Sequence, residues 1–583
     1  MKFFVGLLFA VLANTNSFAQ KHDNVWMFGY TNVDGNNTID NFTLSFDTFP
    51  PQYEYKPGKI ELDNYSGICD SSGLFQLYTN RCFIADENGE IIENADTLTT
   101  AWEIDWCNSY GSCIGTRFSL ILPSLDQSKA DYIVFTKDIF RTFVPTLILY
   151  GHQFHYHQIK KNEENDYVVI KERQIIQGLS SLQLSYGEIT AVKHGNGRDW
   201  WLPIITISGD SIYSVLYAKD TIYKSSSQKI GTPWVDYGSF QASFSQDGSR
   251  FARYNSFQGL YLYDFDRCSG LFSNPRYYPI IDTTQGATSG VHFSPDNKLL
   301  YLADYDYLYQ LDLEASDVLA SKTLVATYDG PQELFKWKFG YLDHGPDGRI
   351  YVTPPGGSRH MNVINRSNLK GSSCDMQQAV YEFPYYYTNS PNIVNFRLGP
   401  LDGSPCDTLG YDNKPLANFR SEPSDTSSLG VQFWEVSAYE PTQWYWEFGD
   451  LGSGLANTST EKDPVHQYPG PGFYTACLTV SNANASDSKC KVVEIKVSGT
   501  GVPFGTKGVW GYPNPSTGQF YIAGLEDREI TVRVFDTLGK NVLTTKTLDS
   551  ALDVNTLNNG VYMLHLSGDH VYNNLVLKLV IQK

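Results

Sequence analysis

The densest group of potential metal ligands in this chain is the trio His152, His155 and His157. On an extended segment His155 and His157 project from one face, a spacing that zinc accepts. No acidic or cysteine residue accompanies them in that run, so they read as polar strand positions and no metal is assigned. Asp34, Asn36, Thr38 and Asp40 alternate in a Gly-containing loop. Convergent oxygens of that kind suit calcium, but the series lacks a closing bidentate Glu, and a solvated hairpin turn explains it equally well. His194 stands before Trp200 and Trp201 in H-G-N-G-R-D-W-W, a base beside an aromatic platform for a sugar, or a turn followed by a core strand. No H-E-x-x-H, G-x-S-x-G, phosphate-binding glycine loop or carboxylate pair of glycosidase type occurs. No catalytic residue and no cofactor is assigned.

The elements around these residues favour the second reading of His194 and the tryptophans. Gly195-Asn196-Gly197-Arg198, Ser245-Gln246-Asp247-Gly248, Ser294-Pro295-Asp296-Asn297 and Gly345-Pro346-Asp347-Gly348 begin 50, 49 and 51 residues apart. Each lies between two short apolar strands. The strands after the turns include residues 250–254, 299–303 and 349–353, and further strands follow at 259–265 and 307–313. Strand, Asp-Gly turn, strand, strand is the rhythm of one propeller blade. Two earlier units fall around residues 69–86 and 122–134, with a longer insertion near 152–173. Six or seven blades are expected, and this part of the chain resembles bacterial surface β-propellers of the WD-repeat-like or TolB-like class. In that register His194 precedes a turn and the tryptophans open an inter-blade strand.

A chain of 583 residues exceeds one hydrophobic core. Its 40 Tyr, 33 Phe and 11 Trp suit pleated strands, and the net charge of −19 disfavours nucleic acid and anionic lipid. Lys2, the apolar run 3–12 and Ser17-Phe18-Ala19 read as a signal peptide over residues 1–19. No later apolar run is long enough for a transmembrane segment. Nine cysteines in an exported chain point to disulfides, and the odd count leaves one thiol unpaired.

The C-terminal residues 509–583 consist of short alternating strands separated by turns. Tyr512-Pro513-Asn514-Pro515 opens the segment, Ser516 to Gly518 turns it, and Phe520 and Ile522 share a face. Val532 and Val534 alternate with Arg533 and Phe535 before the turn at Leu538-Gly539-Lys540, and Gly560 releases a strand containing Tyr562. A basic strand bearing Lys578 ends the chain. These motifs, in this order, resemble the type A C-terminal sorting domain of type IX secretion (Por system) cargo of Bacteroidetes. The resemblance implies passage across the outer membrane by the type IX secretion machinery, removal of the domain, and attachment to surface polysaccharide or release. Tyr512, Pro513, Asn514, Pro515, Gly518, Gly539, Lys540, Gly560, Tyr562 and Lys578 would be features of the sorting signal.

Between residues 416 and 498, W-Y-W-E-F-G-D places Trp444, Trp446 and Phe448 on one face of a strand. Later, Tyr474, Ala476, Leu478 and Val480 share a face and Cys477 points away; in the next strand Val493, Ile495 and Val497 point in and Cys490 out. Cys477 and Cys490 are therefore expected to bond across a hairpin. The segment resembles the PKD domain, an immunoglobulin-like sandwich, except that Leu451 stands where a second Gly usually follows Gly-Asp.

The expected architecture is all-β: a six- or seven-bladed propeller over 20–406, a linker at 407–415, a PKD sandwich over 416–498, a linker at 499–508, and a small sandwich over 509–583. Binding modules without catalytic motifs suggest a non-enzymatic surface protein whose partner is a glycan or a protein. The alternatives are a secreted hydrolase, peptidase or glycosidase, whose residues converge from several blades on the propeller funnel, and a purely structural part of the cell surface.

Overall fold

The computed structural model describes residues 21–581 apart from 32–38, 57, 59, 63–64, 97, 101–102, 106, 108–116, 127–130, 144–146, 177–178, 180–181, 234–240, 282–288, 332–337, 355, 425–428, 496–509, 513–515, 517–518, 524–529, 537–538, 548–550 and 568–574. The chain forms two compact units. One runs to Arg420 and takes in 435–443 and 479–488; the other holds 421–434, 444–478 and 489–583.

Among its described residues the first unit contains seven antiparallel sheets that follow one another in the chain, at 25–55, 66–86, 119–175, 192–229, 241–278, 289–327 and 341–387. The first two have three strands and the others four. First strands of neighbouring sheets pack on one another, as Gln241–Phe244 does on Ser289–Phe293 and the latter on Tyr341–His344. This is a seven-bladed β-propeller, at the upper end of the expected count. The ring closes where blade one meets blade seven through Trp26, Phe28, Phe42, Tyr351, Phe383 and Tyr387. Phe42 and Phe383 have centroids 4.6 Å apart, and Trp26 meets the edge of Tyr351 at 5.3 Å. Residues 152–173, expected as an insertion, instead lie in the two outer strands of blade three, Leu147–Lys161 and Tyr167–Ile175. Blade one, residues 25–55, stands outside the spaced series of turns; the Asp34-Gly35 pair between its first two strands, Val25–Thr31 and Ile39–Ser45, lies outside the described residues.

The four spaced turns are the tight connections between first and second strands. Gly197, Gly248, Asn297 and Gly348 have φ of 75°, 72°, 62° and 80°. In each turn that residue's N–H donates to the carbonyl three residues back, at 2.8 to 3.0 Å. Asn replaces Gly once because it is the side chain that best tolerates the left-handed region.

The PKD segment comprises one sheet of Phe419–Pro423, Gly430–Glu435 and Val465–Gln467, and another of Thr458–Ser459, Gln443–Glu447, Gly472–Ser481 and Ser486–Ile495. Trp446, Phe448 and Phe433 meet in its core, with centroids 5.1 to 6.3 Å apart. Gly449 is required there, since a Cβ would sit 2.4 Å from the carbonyl oxygen of Thr475. Leu451 is 89 % exposed, so its departure from the usual Gly disturbs no packing.

The C-terminal segment is a second sandwich. Trp510–Tyr512, Gln519–Ala523 and Ala551–Asp553 form one sheet; Asn541–Thr547, Ile530–Phe535, Gly560–Ser567 and Leu575–Ile581 form the other, in that order. Phe520, Ile522, Val532, Val534, Leu564, Leu566 and Leu579 fill the space between them.

Among the described residues three disulfides join Cys82 to Cys107, Cys268 to Cys406 and Cys477 to Cys490. The expectation of one unpaired thiol is corrected: Cys69 and Cys374 are both free and buried, while Cys113 lies outside the described residues. Burial raises the Cys69 thiol pKa, so it stays protonated and unreactive.

Candidate functional site: a filled propeller axis

After the last strand of blade seven, Met376–Tyr387, residues 388–400 form no regular element, yet most of them are buried. Their hydrogen bonds reach almost every blade. Asn392 Nδ2 donates to the carbonyls of Ser119 in blade three and Ile189 before blade four, both at 2.8 Å. Its backbone N–H donates to Tyr65 O at 2.8 Å, and its carbonyl accepts from Ser66 Oγ in blade two at 3.0 Å. Asn395 Nδ2 donates to Gln246 O in blade five, at 3.0 Å. Arg397 pairs with Asp23, ahead of blade one, at 2.8 Å. Ser390 hydrogen-bonds Thr353 and Asp343 of blade seven. Only a segment on the ring axis can touch blades on all sides, so the chain fills its own central channel. The sequence N-S-P-N-I-V-N-F-R-L-G-P suits that position. Val394, Phe396 and Leu398 pack on the blade cores, while Thr388, Ser390, Asn392, Asn395 and Arg397 satisfy backbone carbonyls, a hydroxyl or charges that would otherwise be buried unpaired. Cys406 then ties the end of this segment to Cys268 of blade five.

Beside it lies a charged cluster from three parts of the ring. The Arg117 side chain is fully buried, and those of Glu188 and Asp343 are 4 % and 7 % exposed. Arg117 Nη1 donates to Asp343 Oδ1 at 2.9 Å and to Glu188 Oε1 at 3.1 Å, and the guanidinium lies 4.4 Å from the Tyr341 ring centroid. Glu188 Oε2 accepts the Ala242 N–H of blade five at 3.2 Å. Arg117 has φ 54°, a strained value that persists because so many bonds hold it. Burial opposes the charge on Arg117, but Asp343 and Glu188 outweigh it and keep the guanidinium protonated. Burial pushes the Glu188 carboxyl up to about 7, with Arg117 opposing.

Two carboxylates, one with a pKa near neutrality, form the pair that acid–base catalysis uses. Here Arg117 binds both and Ser390 caps Asp343. The adjoining cavity, lined by Lys137, Ser185, Glu188 and Ile204, has a volume of about 20 Å³, room for one water and no substrate. The cluster works as an axial pin. Sequence reasoning missed these residues because nothing local marks them. The available signal was a charged residue beside the first strand of a blade, as Arg117 stands beside Ser119–Pro123 and Asp343 within Tyr341–His344.

His155 and His157 do share a face of Leu147–Lys161, and both of these polar strand positions are buried. His155 Nε2 lies 2.9 Å from Asp138 Oδ2, an acidic partner supplied by the paired strand, and His157 Nε2 lies 3.0 Å from Thr136 Oγ1. His152 lies in the same strand, outside the residues whose side chains are described. No group of three or more His, Cys, Asp or Glu able to hold a metal occurs among the described residues. Asp34, Asn36 and Thr38 lie outside the described residues; Asp40 Oδ1 accepts from the Tyr55 hydroxyl at 3.2 Å. His194 Nε2 lies 3.1 Å from Cys268 O, and Trp201 Nε1 donates to Arg267 O at 2.8 Å. Trp200 and Trp201 are buried in two different inter-blade cores.

In the tail, Tyr512 pairs with Tyr521, and Pro513, Asn514, Pro515 and Gly518 lie outside the described residues. Gly539 has φ 78° and donates to Asp536 O at 3.0 Å, while the Lys540 N–H donates to Asp536 Oδ1 at 2.9 Å. Gly560 begins the strand Gly560–Ser567; the Tyr562 hydroxyl donates to Asn558 O at 3.0 Å, and Lys578 is the register partner of Met563.

Fold and geometry thus define an all-β, disulfide-bonded protein built of a propeller and two sandwiches. Residues 511–582 match the secretion system C-terminal sorting domain, and residues 413–497 match the PKD domain. The chain is a type IX secretion cargo with a Por-type tail and a PKD domain, destined for secretion or attachment at the outer surface. No helix among the described residues is long and apolar enough to cross a membrane. No curated protein matches it. Similar solved structures include the PKD1 domain of Vibrio anguillarum Epp, at 27% identity, covering 15% of this chain and 99% of that one with a TM-score of 0.13. A putative 6-phosphogluconolactonase from Bacteroides uniformis shares 12% identity over 62% of this chain and 97% of its own, TM-score 0.38. PorZ of Porphyromonas gingivalis, a surface component of the type IX secretion system there, shares 12% identity over 94% of this chain and 80% of its own, TM-score 0.22.

Proposed function

We propose that this cargo is a non-enzymatic binding or adhesion protein whose propeller recognises a glycan or a protein outside the cell. The observation that carries this reading is the filled axis. Propeller enzymes gather residues from several blades around an open funnel, whereas residues 388–400 occupy that space here and the neighbouring carboxylates are sealed. Binding then falls to the outer surfaces, and the net charge of −19 favours neutral or cationic ligands. The proposal includes a signal peptide cleaved after Ala19, domain limits of 20–406, 416–498 and 509–583, and a sorting role for Tyr512, Pro513, Asn514, Pro515, Gly518, Gly539, Lys540, Gly560, Tyr562 and Lys578. The test is a glycan and protein array probed with the full chain at modest salt, alongside hydrolase assays on peptide and polysaccharide pools. Retention on defined spots with no turnover is expected. Turnover that survives repurification, with no retention, would reverse the proposal.

A further inference from the structure

A small sandwich ordinarily shows one polar face per sheet to water. The four-stranded sheet of the sorting domain sets an apolar stripe into that polar face. In register, Arg533 stands beside Thr544 and His565, and Phe535 beside Met563, which is itself paired with Lys578. These positions alternate with Val532, Val534, Leu564 and Leu566, which are buried between the sheets. They therefore form the outward face. Val561 and Met563 are 41 % and 43 % exposed on it, and Val542, at the bulge near Phe535, is 38 % exposed. Large apolar side chains exposed together on an otherwise polar face mark a contact surface.

The charge on this face is also segregated. The chain carries 63 acidic and 44 basic residues, yet the register positions Thr531, Arg533, Phe535, Thr544, Lys546, Val561, Met563 and His565 include no Asp or Glu. An apolar stripe with a basic border, on an acidic protein, is complementary to an apolar groove edged by carboxylates.

We propose that this outward face is the surface by which the secretion machinery engages the chain, through an apolar groove bordered by acidic side chains. The proposal rests on the reading of the tail as an export signal. The contact needs Val561 and Met563 as apolar anchors and Arg533 as the central charge.

The test is made with the full chain in a bacterium that has a working type IX system, measuring surface and medium fractions against the periplasmic fraction. The variants are V561D/M563D, R533E, the milder V561T/M563Q, T556D in the other sheet's turn, and a chain truncated before Val509. Export is expected to fall at least tenfold for V561D/M563D, R533E and the truncation, to fall less for V561T/M563Q, and to stay at the wild-type level for T556D. Protease resistance of the purified tail variants reports folding; if V561D/M563D is unfolded, R533E and V561T/M563Q decide the matter. Normal export of the face variants with failure of the truncated chain would overturn the face and leave the tail reading intact. Normal export of the truncated chain would overturn both. A face variant that abolishes self-association of the purified chain but not its export would assign the face to a second copy and overturn the proposal.

Discussion

Asn392 shows how much of the ring rests on one amide. Both of its Nδ2 protons are used, on the carbonyls of Ser119 and Ile189, and its own backbone is bonded to Tyr65 and Ser66. Asn392→Ala leaves two buried carbonyls without that partner, and unfolding in urea should show a loss of about 2–4 kcal/mol. Arg117→Met should cost more, about 3–5 kcal/mol, because two carboxylates remain buried without their cation. Adding Glu188→Gln and Asp343→Asn to Arg117→Met should recover part of that loss, since the remaining groups are neutral. A triple variant less stable than the single one would show that the cluster contributes hydrogen-bond geometry rather than charge balance.

At the scale of elements, the turns explain what was legible. Asp247-Gly248 and its three counterparts announce their left-handed residue in sequence because few side chains accept positive φ, and their spacing reveals the blade. Gly248→Ala should cost roughly 1–3 kcal/mol, since its Cβ would meet Arg267 Cδ and Val192 Cγ2 at 2.8 Å in a strained backbone. Asn297→Gly keeps the backbone unstrained but removes the acceptor of the Gln246 N–H at 2.7 Å, and should cost about 1 kcal/mol. Both are measurable by thermal unfolding. The Cys477–Cys490 bond was equally local, one hairpin with both cysteines outward, whereas Cys268–Cys406 spans 138 residues and joins a blade to the axial segment, a pairing that no periodicity encodes. Closing the longer loop constrains the unfolded chain more. Cys268→Ser/Cys406→Ser should therefore destabilise its unit more than Cys477→Ser/Cys490→Ser destabilises its own, about 4–5 against about 3 kcal/mol in the chain-entropy model. The axial segment escaped sequence reading for the same reason: N-S-P-N-I-V-N-F-R-L is neither helix nor strand, and its partners are distributed around the whole ring. His155 was misjudged because its acidic partner, Asp138, comes from across a long hairpin.

The molecule as a whole combines these buried groups into a pH response whose direction follows from three of them. Burial lowers His344 from 6.5 to about 3 and His22 from 6.5 to about 4, so both stay neutral in the folded protein. Below pH 6.5 the unfolded chain binds protons at these sites that the folded chain refuses, so their stabilisation is lost as pH falls towards 4 and 3. Glu188 acts in the opposite sense. Its folded value of about 7 lies above the ordinary 4.5, so the folded chain binds the extra proton and gains stability as pH falls from 7 to 4.5. Each group changes stability by about 1.4 kcal/mol per pH unit within its window. Between pH 6 and 5 two histidines outweigh one carboxyl, and the net loss is on the order of 1 kcal/mol per unit. Between about pH 4.5 and 4 the Glu188 gain has ended and the loss steepens. On these three groups the curve is highest between pH 6 and 7; above pH 7 it rises again, because burial lowers Lys193 from 10.5 to about 7 and the folded chain sheds a proton there that the unfolded chain keeps. Glu188→Gln should raise stability at pH 8 and steepen the acid limb, while His344→Gln should flatten that limb, as followed by urea unfolding from pH 4 to 8. A wild-type curve that rises steadily towards pH 4.5 would mean that the buried histidines are charged in the folded protein.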